Sequence, residues 1–297
     1  MGAVRISVVI PCYNRSEVIV RALQCVLAQT RAADEIIVVD DGSTDGTADV
    51  VAGFRAQGVA LIRGTSNRGA NWARNRGIEA ATGDLICFLD SDDEFLPNKL
   101  ARVEDYFGER PDTDLLLDSF RQRRRGRERQ RLNPVIDSRD EFRTAVFAGD
   151  VNKATSAITA RRQALLDAGM FDETLNRRQD MDLLLKVSRR HLCRSIDEIL
   201  WVKNQSADGL SANRRNVLES LMAICDRHPE YFQTEAYRVG LDHDLMRHFV
   251  ELIETGEFGA AWNDLRDIRA AQRFRVPPLG VWLWGVRLLV KRLVRRR

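Results

Sequence analysis

The residues of this chain whose type and spacing could do chemistry are its carboxylates. Asp90, Asp92 and Asp93 follow directly on the apolar run Leu85-Ile86-Cys87-Phe88-Leu89, and Asp40 and Asp41 follow Ile36-Ile37-Val38-Val39. An apolar run of strand length that ends in acids is the pattern of a buried parallel strand delivering a cation site to a sheet edge. The sequence holds neither G-x-G-x-x-G nor G-x-x-x-x-G-K-[ST], so a nucleotide's phosphates would have to be held by other means. Bare carboxylates would repel a diphosphate by about 4 kcal/mol per charge pair at roughly 4 Å and an effective dielectric near 20. Asp90 and Asp92 therefore suit a bridging divalent ion. Mg²⁺ and Mn²⁺ prefer oxygen ligands and share their shell between carboxylates and substrate phosphates. The competing reading makes Asp92 or Asp93 a cap on a helix opened by Pro97.

A second candidate stands at Asp180, which opens an amphipathic segment with Met181, Leu184, Leu185 and Ser188 on one side. A carboxylate there can serve as a general base, or merely complement the helix dipole. Asp182 is the alternative base, but two residues along a helix it points about 200° away.

Alternating elements position these residues. Arg5–Ile10 reads as a strand stopped by Pro11, and Ser16–Ala28 as a helix. Glu35–Val39, Val59–Ile62 and Leu85–Leu89 read as further strands, with helices through Val50 and Phe54 and over Gly69–Ala81 between them. That alternation predicts an α/β fold with a mostly parallel sheet covered by helices on both faces. Ligands of such sheets sit outside the carboxyl ends of the strands, where Tyr13, Asp41 and Asp92 fall. Further along come a helix through Leu100, Val103, Tyr106 and Phe107 and a strand at Leu115–Leu117. The arginine-rich stretch 121–131, with Gly126 at its middle, reads as an exposed hairpin or as a binding patch for nucleic acid or anionic lipid. Residues 140–148 and 161–168 read as helices around a short strand at Ser156–Thr159.

Ser7-Val8-Val9-Ile10-Pro11-Cys12-Tyr13-Asn14, Val39-Asp40-Asp41-Gly42-Ser43-Thr44-Asp45, Ala73-Arg74-Asn75 and Asp90-Ser91-Asp92 occur in that order. Gly169-Met170-Phe171-Asp172-Glu173 and Gln179-Asp180-Met181-Asp182 follow. Over roughly residues 4–205 the chain resembles family 2 glycosyltransferases with the GT-A (Rossmann-like) fold. The resemblance implies that Pro11, Tyr13 and Asn14 line the nucleotide pocket and Asp41 accepts a hydrogen bond from the base. It further implies that Arg74 meets the diphosphate or base and Asp92 ligates Mn²⁺ or Mg²⁺ with Asp90 beside it. The resemblance also implies that Asp180 takes the acceptor proton, with inversion at the sugar. Two departures stand out. Gln179 replaces a usual glutamate, removing a like charge that would raise the neighbouring carboxyl's pKa. No histidine occurs in Trp201–Ser206, where the family often carries one for the metal or diphosphate. The resemblance also places acceptor contacts in the second half of this domain, without naming a residue.

The net charge of +3, from 46 Lys and Arg against 43 Asp and Glu, hides a local asymmetry, with acids near strand ends and arginines at 121–131 and at the C-terminus; no aromatics interleave with the arginine stretch, and no nucleic-acid partner is expected. Five scattered cysteines read as reduced core residues, and four histidines without ligand spacing argue against a zinc site. A strand that starts by Arg5 leaves no room for a signal peptide, and no apolar run suits a membrane span. The division expected is a GT-A domain over 1–210 and a helical extension over 211–297, with helices Val217–Cys225, Tyr237–Thr255 and Phe258–Ala271. In the tail, Trp282, Leu283, Val286, Leu289, Val290 and Leu293 oppose Arg287, Lys291 and Arg295. This suits either a helix at an anionic membrane interface, through 279–297, or one docked on protein.

The expectation is an inverting, metal-dependent glycosyltransferase that uses a nucleotide-sugar, a UDP-sugar first. Its acceptor would be a glycan or lipid-linked glycan, and its place the cytoplasm or the inner face of the cell membrane. The alternative is a non-catalytic protein binding membrane or nucleic acid through its basic hairpin and tail. A transferase that builds activated sugar donors would need a Gly-rich basic loop near the N-terminus, and none is present.

Overall fold

The computed structural model describes residues 4–124, 126–204, 217–272 and 274. The chain divides into two compact units: Met1–Val146 with Asp150–Asn213, and Phe147–Gly149 with Arg214–Arg297.

The first unit is built on one twisted sheet. Its first half alternates β1 (Ile6–Cys12), α1 (Ile19–Leu27), β2 (Glu35–Asp40), α2 (Thr47–Ala52), β3 (Val59–Arg63), α3 (Ala70–Ala80) and β4 (Leu85–Phe88). Then come β5 (Glu94–Phe95), α4 (Lys99–Glu109), β6 (Leu115–Arg124), β7 (Arg127–Arg131) and α5 (Arg139–Ala148). β8 (Ile158–Arg161), α6 (Arg162–Asp167), α7 (Gln179–Val187) and β9 (Cys193–Asn204) complete it. The strand order is β3-β2-β1-β4-β8-β6-β9-β5, with β7 paired to β6. β1, β2, β3, β4, β6 and β9 run one way, and β5, β7 and β8 run against them.

β1 and β4 are buried at every position, which is why they read as unbroken apolar runs. The sheet grows from β1 to β2 and β3 on one side and continues from β4 on the other, so the order reverses between β1 and β4. Such a reversal opens a crevice at the strands' carboxyl ends. Helix α3 lies close over β1: a Cβ on Gly77 would fall 2.3 Å from Val9 Cγ1.

The competing reading of Asp92 or Asp93 as a helix cap does not match the structure. β5 intervenes and pairs antiparallel with β9, and α4 starts only at Lys99 after Asn98. Strand β6 also runs beyond the expected Leu117 to Arg124, carrying the arginine stretch into an antiparallel pair with β7 around Gly126.

The second unit contains α8 (Val217–Arg227), α9 (Glu235–Thr255) and α10 (Phe258–Ala271). Leu221, Ile224, Leu241, Leu245, Phe249, Leu265 and Ile268 form its core. Phe147 stacks on Tyr237 at 4.3 Å between ring centroids and meets Tyr231 edge-on at 4.6 Å. His248 Nε2 and Asp264 Oδ2, 2.6 Å apart, tie α9 to α10. The stretch 279–297 lies outside the described residues.

Candidate active site

Three loops meet at the carboxyl ends of β1, β2 and β4. The first two are laced by side chains. Asn14, at a left-handed φ of 49°, donates its N–H to Ser43 Oγ at 2.9 Å, and its Oδ1 accepts from Thr44 N at 2.9 Å. Arg15 N donates to Thr47 Oγ1 at 2.8 Å, and Ser16 N and Oγ donate to Asp45 Oδ2 at 3.0 and 2.9 Å. Burial pushes the Asp45 carboxyl up, but the bonds from Thr47 and Ser16 outweigh it and hold the pKa down at about 2. With both loops fixed, Pro11 is buried in β1 and the Tyr13 ring stands 39% exposed at the rim.

Asp41 is buried, and its carboxylate caps the entry to α3. Oδ1 and Oδ2 accept from Arg68 N at 2.9 and 3.0 Å, and Oδ2 accepts from Gly69 N at 2.6 Å. Burial raises its pKa, and these two N–H bonds work against that rise. Gly42 follows at φ +77°, and a Cβ there would fall 2.8 Å from the Ser66 backbone. The Asp-Gly pair is thus required by a positive φ and by close approach of the neighbouring loop.

The acids after β4 form the centre. Arg74 Nη2 donates to Asp90 Oδ1 at 2.9 Å, while Arg74 Nη1 holds Asn71 Oδ1 at 3.1 Å and the guanidinium lies 5.3 Å from the Phe171 ring centroid. Ser156 Oγ accepts from Asp90 N at 3.0 Å and donates to Asp93 Oδ2 at 2.7 Å. Asp93 Oδ1 takes Asn204 N at 3.1 Å from the end of β9. Beneath Ser156 lies a fully buried ion pair: Lys99 Nζ reaches Asp118 Oδ2 at 2.6 Å and the Ser156 carbonyl at 3.0 Å. Asp92 differs from these neighbours. Among the described residues its carboxylate takes no hydrogen bond or ion pair from another side chain, and burial and then the charge of Asp90 raise its pKa.

Helix α7 is entered through Arg178 in the left-handed region. Thr155 Oγ1 donates to Asp180 Oδ1 at 2.5 Å. Burial raises the Asp180 pKa; Arg74 and the Thr155 bond lower it, Asp90 raises it again, and Lys203 lowers it. Asp182, the alternative base, is buried and paired with Lys186 at 3.2 Å. The structure therefore brings Asp180, Asp90 and Arg74 into one electrostatic neighbourhood and sends Asp182 into the packing.

The turn before α7 is held by α3. Asn71 Nδ2 donates to the carbonyls of Asp172 and Leu175, both at 2.8 Å. Asn75 Nδ2 donates to Phe171 O at 2.9 Å, and its Oδ1 accepts from Phe171 N at 3.0 Å. Two sequence motifs almost a hundred residues apart are thus direct partners.

Sequence reasoning missed Lys203, Ser156 and Thr155. Burial lowers the Lys203 pKa, and the carboxylates of Asp93, Asp90, Asp180 and Asp92 more than restore it, so it stays charged within the acidic cluster. It lies within the stretch 201–206, where the family often carries a histidine; the available signal was a cation in that histidine's stretch.

The donor set suits a hard divalent ion in part. Among the described residues no side chain hydrogen-bonds the Asp92 carboxylate, Asp90 keeps one oxygen beyond its Arg74 bond, and the two raise the charge density at one point. Among the described residues no group of three or more His, Cys, Asp or Glu is placed to hold a metal. Substrate oxygens and water would complete the shell.

A sheet of this order, with carboxylates at its switch point, defines the GT-A glycosyltransferase fold. The chain belongs to glycosyl transferase family 2, whose family model matches residues 7–168. The S. aureus TarS 1-349 structure in complex with UDP-GlcNAc matches 92% of this chain and 82% of its own, with a TM-score of 0.68 and 20% identity. Mannosyltransferase PcManGT from Pyrobaculum calidifontis, in complex with GDP-Man and Mn²⁺, matches 98% and 81%, with a TM-score of 0.63 and 18% identity. The amylovoran biosynthesis glycosyltransferase AmsB of Erwinia amylovora is 45% identical over 105 residues, 34% of this chain and 35% of that protein. Several of the curated relatives are matched over about a third of their length or less, and one, at 32% identity, over 72%.

Proposed function

We propose that this protein is an inverting, metal-assisted glycosyltransferase that moves a sugar from a nucleotide donor, a UDP-sugar first, to a glycan or lipid-linked acceptor. The observation that carries the reading is the convergence at one sheet edge of Asp92, whose carboxylate has no side-chain hydrogen bond among the described residues, the Arg74–Asp90 pair and a half-buried Asp180 with a raised pKa. Family membership and the biosynthetic role in AmsB's name support polysaccharide or cell-envelope synthesis as the setting. TarS with UDP-GlcNAc supports the UDP-sugar, and PcManGT with Mn²⁺ supports the metal.

Tyr13 and Pro11 line the nucleoside side of the crevice. Asn14 and Asp41 hold its walls, Asn14 through Thr44 and Asp41 through Arg68 and Gly69. Asp92 and Asp90 would hold Mn²⁺ or Mg²⁺, which when bound offsets charge on the departing diphosphate. Arg74 holds Asp90 in place through its 2.9 Å bond to Oδ1. Lys203 adds a fixed positive charge beside the same group. Asp180 Oδ1 is occupied by Thr155, which leaves Oδ2 to take the acceptor hydroxyl proton. A raised pKa brings this carboxylate closer to operating pH, where a general base works best. Proton removal and departure of the diphosphate in one displacement invert the sugar centre, as with water in inverting glycosidases. Among the described residues no helix is long and apolar enough to cross a membrane. Peripheral contact through 279–297 belongs to this proposal.

Calorimetric titration of UDP, GDP and dTDP, with Mn²⁺ and then with EDTA, tests it. Metal-dependent UDP binding is expected. Absence of binding by every nucleotide in both conditions overturns the reading.

A further inference from the structure

The β6–β7 hairpin sorts its charges by face. Partners across it are Phe120 and Arg131, Gln122 and Arg129, and Arg124 and Arg127, alternating with Arg121 and Gln130 and Arg123 and Glu128. Paired residues in a ladder share a face, and successive residues alternate. One face is neutralised: Arg123 binds Glu128 at 3.0 Å and Glu94 at 3.4 Å, and Arg121 lies 4.0 Å from Glu128. The other face carries Arg124, Arg127, Arg129 and Arg131. Among the described residues none of these four reaches a carboxylate, and Arg131 holds only Gln122 Oε1, at 2.9 and 3.1 Å. Together with Gln122 they line a concavity of about 550 Å³, within the size range of ligand pockets.

This face continues into the candidate active site. In the parallel β6–β9 pair, Phe120 is the partner of Trp201 and Gln122 the partner of Lys203. The Phe120 and Trp201 rings stack at 4.4 Å, so both strands present these residues on the same side. Lys203, next in that row, is the cation that the carboxylates of Asp90, Asp92, Asp93 and Asp180 act upon. The arginine groove therefore begins on the strand beside Lys203, which interacts with the proposed base.

We infer that this groove receives a phosphate or diphosphate ester carried by the acceptor glycan, holding it while the accepting hydroxyl lies at Asp180. The inference rests on the glycosyltransferase reading and deepens it by naming the acceptor's chemistry. Guanidinium forks match phosphate oxygens in pairs, and four of them without counter-charges favour a ligand of several negative charges. Nucleic acid would call for stacking aromatics, and the described residues of the lining include none. A membrane surface would call for apolar side chains to insert beside the arginines, and the described residues of the lining include none of these either.

Inorganic tripolyphosphate is titrated into the full chain without divalent metal, at several salt concentrations. The set is wild type, the triple variant R124A/R127A/R129A, Arg129→Ala alone and Arg121→Ala. The triple variant is expected to bind at least tenfold more weakly and Arg129→Ala severalfold more weakly, while Arg121→Ala, on the neutralised face, stays within twofold. UDP binding with Mn²⁺ is expected to be equal in all four, which also reports an intact fold. Equal tripolyphosphate affinity in wild type and triple variant, beside normal UDP binding, overturns the groove alone. An equal loss in Arg121→Ala overturns it as mere net charge. Tighter arginine-dependent binding to phosphatidylglycerol vesicles or single-stranded RNA than to tripolyphosphate overturns the assignment to the acceptor. Failure of wild type to bind UDP overturns the reading beneath it.

Discussion

Asp180 and Asp92 are two carboxylates with raised pKa values and opposite circumstances. Asp180 has a hydroxyl donor on one oxygen and cations near it; Asp92 has no side-chain partner among the described residues. Replacing Asp180 by Asn is expected to leave UDP affinity unchanged and to lower transfer by about 10²–10⁴-fold, the usual worth of a positioned base. Near-normal turnover in that variant would remove Asp180 as base. Its pH profile follows with a definite sign. The base must be ionised, so the rate falls as pH drops through the Asp180 pKa, which burial has raised. The acid limb of kcat/KM therefore lies above the ordinary aspartate value, and an acid limb at or below that value contradicts the assignment. Asp41 and Asp92 were legible in the sequence because each stands just past a run that announces its strand, and Asp180 because it opens an amphipathic segment. Asp41 after Val38-Val39 and Asp92 after Phe88-Leu89 are local patterns. Lys203, Ser156 and Thr155 were not legible: they reach the site through pairings of β6, β8 and β9 with strands far away in sequence.

Among the elements, α3 and the ion pair beneath the site bear most on geometry. Gly77 lets α3 lie on β1, and Gly77→Ala would place a methyl against Val9 at a distance no relaxed packing tolerates. A loss of about 1–3 kcal/mol is expected from such overpacking, read as a lower urea midpoint at constant slope. Lys99 and Asp118 are both completely buried. Asp118→Ala strands the ammonium beneath Ser156 and is expected to cost about 3–5 kcal/mol, whereas K99M/D118L together cost markedly less. If the double replacement proves at least as damaging as the single one, the pair contributes more than mutual compensation. The first half of the sheet was readable as alternating strands and helices, since βαβ units are local and periodic. β9 was not, because its exposed Asp197 and half-buried Glu198 interrupt the apolar pattern in the middle of a strand twelve residues long. β5, two residues long, gives no periodicity at all.

At the scale of the whole molecule the five cysteines are free and largely enclosed: Cys12, Cys87, Cys193 and Cys225 are buried and Cys25 is half-buried. Burial pushes the Cys25 thiol up to about 12 and the Cys87 thiol up to about 11, so neither is a thiolate near neutral pH. Native protein is expected to react only slowly with a thiol-specific chromogenic disulfide, and all five thiols rapidly once unfolded. Fast labelling of the native form would show an opening motion around the cysteines. The clamp of Asn71 and Asn75 on residues 171–175 bears on how such proteins can be recombined. A chimera joined between β4 and β8 would inherit α3 from one parent and the turn before Asp180 from the other. Its two asparagines would then meet carbonyls they were not shaped for, and the base would be displaced without any change to its own segment. Swaps that keep 70–80 together with 169–182 should preserve the site even where the hairpin between them is exchanged. The practical unit of inheritance in this fold is therefore a pair of segments distant in sequence.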